Sequence, residues 1–310
     1  MPPPEAHIVV FQRQRRRLAA LAYRMTGSVA ETEDILQEAW LRFSRQDLAE
    51  IACAPRWLSA TTMRLCLDHL GSARIRRENY VGAWLPDPLV QDTAASAEQQ
   101  WMLTEDVRIA LVLTLHHLSP EMRAAFILRD AFDFDFEDIS EIVRRSPATC
   151  RQLVSRARRK LAGAEPVDTP ASEEAARMVA AFWRASREGD MQALLALFSE
   201  EIEVHTDGGG KVLAAINVLK GKRRAVGFFV GLARKAPEMP PPPVFRTING
   251  APGFVSVEPN GVLQTTALDI VGRHIRAIWI VRNPEKLRHL PPARRSTSRP
   301  GARPDARPGA

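Results

Sequence analysis

Residues 130–161 read DAFDFDFEDISEIVRRSPATCRQLVSRARRKL, and the charge of this stretch reverses at its middle. Asp130 to Glu141 holds six acids and no base, whereas Arg144 to Lys160 holds seven bases and no acid. Phe136, Ile139, Ile142 and Val143 recur at helical spacing, as do Cys150, Val154, Ala157 and Leu161, so each half predicts a short helix with one apolar face. Ser146 is placed to cap the second helix, and Pro147 stands at its first position, where a missing N–H costs nothing. Two short helices on a tight turn, the second basic on its exposed face, outline a helix-turn-helix. Phosphate would repel the acidic helix, so the basic one is the element that can lie in a DNA groove.

The chain's 310 residues allow two or three compact domains. It is 45% hydrophobic and has no apolar run of membrane-spanning length, and the opening MPPPEAH shows no secretory pattern. These features predict a cytoplasmic protein. Cys53, Cys66 and Cys150 are far apart and odd in number, which reads as buried reduced thiols rather than disulfides or a metal site. His116 and His117 are adjacent and point to different sides of a helix, so no metal is expected. The net charge of +7 is weak evidence of nucleic-acid binding, because the segment from Arg288 onward contributes six arginines against one aspartate. Where the charge sits matters more than its sum.

Along the chain, residues 11–25 predict an amphipathic helix with Phe11, Leu18, Leu21, Ala22 and Met25 on its inner side. Ser28 and Glu31 form a capping box that opens a second helix to about Arg45. A third is expected from about Pro55 to Leu70, stopping at Gly71. Residues 75–97 carry prolines and no helical period, and read as a linker. Helical signals return at 98–118 and, after Ser119-Pro120, to Asp130. A second linker covers 164–172. Beyond it, helices at about 173–187 and 190–199 precede an alternating strand, Glu201 to Thr206. Another helix near 221–235 leads to strands joined by turns at Asn249-Gly250, Asn260-Gly261 and Gly272-Arg273. Residues 173–287 therefore predict an α+β domain after an all-α half. The segment 288–310, rich in Pro, Gly and Arg, predicts a disordered basic tail that adds non-specific DNA affinity.

Three segments in order, LAYRMTGSVAETEDILQEAWLRF at 21–43, APRWLSATTMRLCLDHLGSAR at 54–74 and the helix-turn-helix after LSPEMRAAFILRD, resemble an extracytoplasmic-function sigma factor of bacterial RNA polymerase. The resemblance makes 8–74 the polymerase- and minus-ten-binding module and 98–163 the minus-thirty-five module. It implies that Asp34, Gln37 and Glu38 dock on the clamp helices of the polymerase largest subunit, although such an acidic stripe alone reads as a solvated face. It places Arg56, Trp57 and Arg64 toward the minus-ten element, with Trp57 reading equally as a core residue. In the basic helix, Arg151, Gln152, Ser155 and Arg158 lie opposite the apolar stripe, those nearest the helix N-terminus being the base-reading candidates for the minus-thirty-five element, while Arg156, Arg159 and Lys160 suit phosphates. Arg144 departs from the family, whose turn usually carries glycine there.

Trp84-Leu85-Pro86-Asp87-Pro88-Leu89, Asp207-Gly208-Gly209-Gly210-Lys211 and Asn283-Pro284-Glu285-Lys286-Leu287 resemble signatures of a subgroup with a fused SnoaL-like domain, a cone of the nuclear-transport-factor type. Asp87 and Glu285 are conservative acid exchanges within those signatures. The resemblance implies that the fused domain grips the linker, with Asp207, Lys211 and Trp84 in the contact, and replaces a separate anti-sigma factor. DGGGK does not read as a nucleotide cradle, since Val212 follows where a hydroxyl belongs. No cofactor or catalysis is expected; the partners are core RNA polymerase and promoter DNA, with no membrane. The alternatives are a plain helix-turn-helix repressor or activator, which leaves 54–74 unexplained, an enzyme built on His205 and Asp207, and a small-ligand sensor in the cone.

Overall fold

A computed structural model describes residues 5–78, 80–91, 109–162 and 172–290. Parts of both linkers, the start of the 98–118 helix and most of the basic tail lie outside these residues. The first half is helical: α1 (Glu5–Thr26), α2 (Val29–Phe43), α3 (Ala54–Glu78), α4 (Ile109–His116), α5 (Pro120–Asp130), α6 (Phe136–Val143) and α7 (Pro147–Leu161). Local chemistry sets the boundaries. The side chains of Ser28, Ser119, Asp135 and Ser146 accept N–H bonds at the starts of α2, α5, α6 and α7. The Glu31 carboxylate also pairs with His69 at 3.0 Å, and the Ser28 N–H donates to Thr26 Oγ1 at 3.3 Å.

Two expectations are corrected here. The third helix does not stop at Gly71 but runs to Glu78. A side chain at Gly71 would meet nothing within 4 Å, and an interior glycine costs only about 1 kcal/mol, which ARIRRE offsets with good helix formers. Cys53 is exposed, whereas Cys66 and Cys150 are buried.

The two helical modules are not separate bodies on a flexible tether. Met25, Ala39, Met63 and Cys66 of α1–α3 share one core with Ile127, Leu128, Ile139, Val143, Val154 and Leu161 of the second module. Burying each such aliphatic side chain contributes about 1.5–3 kcal/mol. Arg123 staples the modules at their polar edge. It is 3% exposed and donates to the carbonyls of Leu115 at 2.9 Å and Leu118 at 3.4 Å, and to that of Met25 at the end of α1.

The second half holds α8 (Ser172–Glu188), α9 (Met191–Leu197), β1 (Phe198–Asp207), β2 (Leu219–Lys220), α10 (Lys222–Lys235), β3 (Val244–Ile248), β4 (Ala251–Val257), β5 (Leu263–Val271) and β6 (His274–Val281). Phe198 and Ser199, expected in a helix, begin β1, because Phe198 pairs with Ile275 of β6. The strand order is β2-β1-β6-β5-β4-β3, with β1 and β6 parallel and the other pairs antiparallel. Side chains alternate between faces. Leu268, Ile270, Ile278 and Ile280 face α8–α10, where Phe182 packs on Phe198, Phe229 and Phe254 at ring separations of 5.1–6.4 Å. Ala267, Ala277, Trp279 and Val281 face the other way, onto Leu85 of the linker, Ile109 of α4 and Leu287. The sheet is therefore covered on both sides, by its own helices and by the helical half. His289 and Leu290, assigned to the tail in the sequence, belong to this junction: Leu290 packs against the cluster and the His289 ring bonds Pro88 O at 2.8 Å.

Candidate functional site at the linker junction

The three short motifs of the second half and the linker converge at one buried point. Asp207 ends β1 and is fully buried. Its Oδ2 accepts from the Leu85 N–H at 2.9 Å and from Lys286 Nζ at 2.8 Å. Its Oδ1 accepts from the Tyr80 hydroxyl at 2.5 Å and the Gly209 N–H at 3.1 Å. A buried carboxylate needs such a full set of donors. Lys286 also donates to Leu85 O and lies over the rings of Trp84, at 4.3 Å, and Tyr80, at 4.9 Å. The Lys286 ammonium thus holds the linker's backbone, its tryptophan and the Asp207 charge together. Burial and the Asp207 charge push the Tyr80 hydroxyl far above its ordinary range, so it stays a donor.

Glycine geometry explains the DGGGK loop. Gly209 has φ +60°, and a Cβ there would lie 2.2 Å from Asn283 Nδ2. Asn283 caps the short turn Pro284–Leu287 by accepting from the Glu285 N–H at 3.1 Å, and its Nδ2 donates to Tyr80 at 2.9 Å. The Lys211 ammonium pairs with Glu285 of the NPEKL turn at the surface. Gly208 is closed in by Val212 O, and Gly210 by Val81. Pro284 is exposed and Leu287 buried.

On its other side the linker grips the first module. Pro86, Asp87 and Pro88 are buried. Asp87 Oδ2 sits at the start of α2, accepting from the Val29 N–H at 2.9 Å and the Ser28 hydroxyl at 3.1 Å, where a negative charge is favoured. Trp84 stacks on His116 at 4.6 Å and covers Gly27, at which a Cβ would come within 2.4 Å of the indole. Burial raises the Asp87 carboxyl above its ordinary value, against the pull of Lys286, the Val29 N–H, His289 and Ser28.

The other candidate residues fall on two surfaces. Asp34 and Gln37 are exposed on one face of α2, beside Glu38, which pairs with Arg42 at 2.8 Å. In α3, Arg64 is exposed and Trp57 is half-buried against Phe43, at 5.7 Å between rings. Arg56 turns to the second module: it pairs with Asp135 at 3.1 Å and with Asp138, and lies 4.5 Å over the Phe134 ring. Of the basic helix, Gln152, Ser155, Arg156, Arg159 and Lys160 are exposed. Arg151 pairs with Glu137 at 3.6 Å, and Arg158 with Asp130 at 2.6 Å. The acidic helix thus has a second use, orienting arginines from both modules. His205 pairs with Glu203 on its own strand at 3.1 Å, while Asp207 is committed to the linker, so the two do not form a catalytic pair.

Comparison with known proteins fits this division. Residues 10–75 match the family Sigma-70 region 2, and residues 103–161 match Sigma-70, region 4. Over 296 residues the chain is 34% identical to the ECF RNA polymerase sigma factor SigJ of Mycobacterium tuberculosis, covering 91% of this chain and 93% of that one. The chain belongs to the ECF RNA polymerase sigma factors. The crystal structure of the M. tuberculosis extracytoplasmic function sigma factor SigJ matches it at a TM-score of 0.73 and 30% identity, over 91% of this chain and 98% of that chain. Probable ECF sigma factor SigI of the same organism is 33% identical over 60% of this chain and 64% of its own length. As a sigma factor the protein binds core RNA polymerase and promoter DNA and directs promoter-specific initiation. It is not an enzyme. The first module is region 2, the second region 4, and the sheet domain is the SnoaL-like addition.

Sequence reasoning missed Tyr80, Tyr23, Asn249, His116 and Arg123. Each is a single polar or aromatic residue whose decisive partner lies elsewhere in the chain, as far as 226 positions away for Asn249 and Tyr23. Tyr80, between the basic end of α3 and WLPDPL, carried a weak signal: an isolated aromatic in a polar linker needs a reason to be there.

Proposed function

We propose that the SnoaL-like domain controls this sigma factor in place of a separate anti-sigma factor. It does so by holding the linker and thereby setting how region 2 and region 4 stand to each other. The observation that carries the reading is the buried Asp207–Lys286 pair closed around Leu85. Two DNA-binding modules engage two promoter elements together only when their tether allows it, so a grip on the tether is a means of control. In this reading the protein acts in the cytoplasm, beside the polymerase. Asp34, Gln37 and Glu38 dock on core polymerase. Arg64 and, once released from Asp135 and Asp138, Arg56 approach the minus-ten element, and Trp57 supports them from the region 2 core. Gln152, Ser155 and Arg151 read the minus-thirty-five element, with Arg156, Arg159 and Lys160 on phosphates and Arg158 steadying the helix through Asp130.

The test is in-vitro transcription with bacterial core polymerase on the gene's own upstream promoter, comparing the full chain with its Asp207→Ala variant. We expect a change in promoter-specific transcript of about threefold or more, since removing one partner strands a buried charge. More transcript means the domain restrains the factor, and less means it assists. Equal transcript at equal protein would remove the support for linker control.

A further inference from the structure

Away from the three motifs, the tip of the β3–β4 hairpin also reaches the linker. Asn249 and Gly250 form a two-residue turn with φ of +47° and +71°. Such a tip usually points into water, yet Asn249 is 1% exposed. Its N–H donates to Leu89 O at 2.9 Å, and its carbonyl accepts from the Ile109 N–H at 3.0 Å. Its side-chain Oδ1 accepts from the Leu89 N–H at 3.0 Å, and its Nδ2 donates to the Tyr23 hydroxyl at 2.8 Å. That hydroxyl donates in turn to Asp87 O at 2.6 Å. One residue further on, Val90 bridges Ile248 antiparallel, and the Gln91 N–H donates to Thr247 O at 2.8 Å.

The linker is therefore added to the edge of the sheet at β3, and a single buried asparagine matches both backbone groups of Leu89. Strand addition supplies main-chain bonds to any sequence, and the residue that fixes its start fixes its register. Register matters here because Leu89 packs into the region 2 core beside Tyr23, whereas Val90 packs on the sheet. A slip of one residue would exchange the two.

We infer that the Asn249–Gly250 turn is a further linker-holding element beside DGGGK and NPEKL, and that Asn249 is a positioning residue. It locks the linker's register on β3 and ties the SnoaL-like domain to region 2 through Tyr23 and to region 4 through Ile109. The inference rests on the proposed control through the linker and adds to it the element that sets where along the chain the grip falls.

Asn249→Gly keeps the left-handed turn and both backbone bonds and removes the side-chain ones. Hydrogen exchange on the full-length protein, resolved to single amides, should show Leu89 and Gln91 exchanging about tenfold faster or more, with β5 and β6 unchanged. Promoter output should move in the same direction as for Asp207→Ala. Tyr23→Phe, placed in the other module, should also loosen Leu89, and the double variant should add little to Asn249→Gly alone. Unchanged exchange at Leu89, while Asp207→Ala still alters transcription, would overturn the role of Asn249 and leave linker control standing. Silence of both variants in transcription would overturn linker control and this inference with it. If Asn249→Gly loses protection throughout β3–β6, the same comparison on Tyr23→Phe decides the matter.

Discussion

Asp87 joins helix chemistry to acid–base chemistry in one side chain. Its carboxylate meets the first amide of α2, and its backbone N–H donates to Gly27 O at 2.8 Å. Burial is the largest influence on the carboxyl and raises its proton affinity above that of the unfolded chain. As pH falls from neutral into the carboxylate range, the native state takes up this proton before the unfolded state does. The group's contribution to stability therefore rises on acidification and is at its least above the raised folded-state value. Asp87→Asn removes the titration. The unfolding free energy of the parent minus that of the variant should increase as pH is lowered from about 7 to about 4.5, read from urea midpoints. A difference independent of pH would show that burial does not govern this carboxyl.

At the scale of elements, the turn between α6 and α7 carries a local conflict. Arg144 closes α6 in the left-handed conformation, at φ +57° and ψ +49°. A Cβ makes this costly, by about 1–2 kcal/mol, and glycine would escape the cost at some loss of chain entropy. The N–H of Arg144 still bonds Ser140 O, so the backbone needs nothing from the side chain. Arg144→Gly should raise stability by about 0.5–1 kcal/mol with the helix-turn-helix intact. The check is a denaturant midpoint that rises without a change in slope; a lower midpoint would mean the arginine side chain holds the turn.

At the scale of the whole molecule, the two promoter-facing modules are closed on each other. Arg56 is held by Asp135 and Asp138, and the Arg17 guanidinium lies 4.4 Å over the Phe132 ring. The Arg56, Asp135 and Asp138 side chains are 37–59% exposed, so each of these ion pairs contributes no more than about 1 kcal/mol. The shared apolar core carries most of the closure, and the charges tune it. Asp135→Asn with Asp138→Asn keeps the α6 cap, because asparagine caps as well as aspartate. This double change should raise promoter-specific transcript about two- to fivefold, the factor that matches about 0.5–1 kcal/mol. In-vitro transcription with core polymerase measures it directly; a fall would mean that the closed pairing helps promoter engagement.

What the sequence determined by itself was whatever is written within one turn of helix or one hairpin. The opposed charges and the Ser146-Pro147 start specify the helix-turn-helix, because capping, periodicity and repulsion from phosphate act between near neighbours. The Asn-Gly pair at 249–250 specifies a hairpin for the same reason, and its turn is where the sequence puts it. The motifs WLPDPL, DGGGK and NPEKL announced a junction through resemblance, without saying which atoms meet. Gly71 misled, because a lone glycine with open space around it need not end a helix. Only the tertiary structure decided that Lys286, rather than Lys211, reaches Asp207 and Leu85. It likewise decided that Arg56 lies on the acidic helix and that Asn249 is buried against Leu89. Those contacts join residues up to 201 positions apart, and burial alone turns an ordinary lysine or asparagine into a partner that must be satisfied. The apolar run Ala277 to Val281 is buried on both faces of the sheet. That the second cover is the sigma linker and α4 became clear only when the chain was folded.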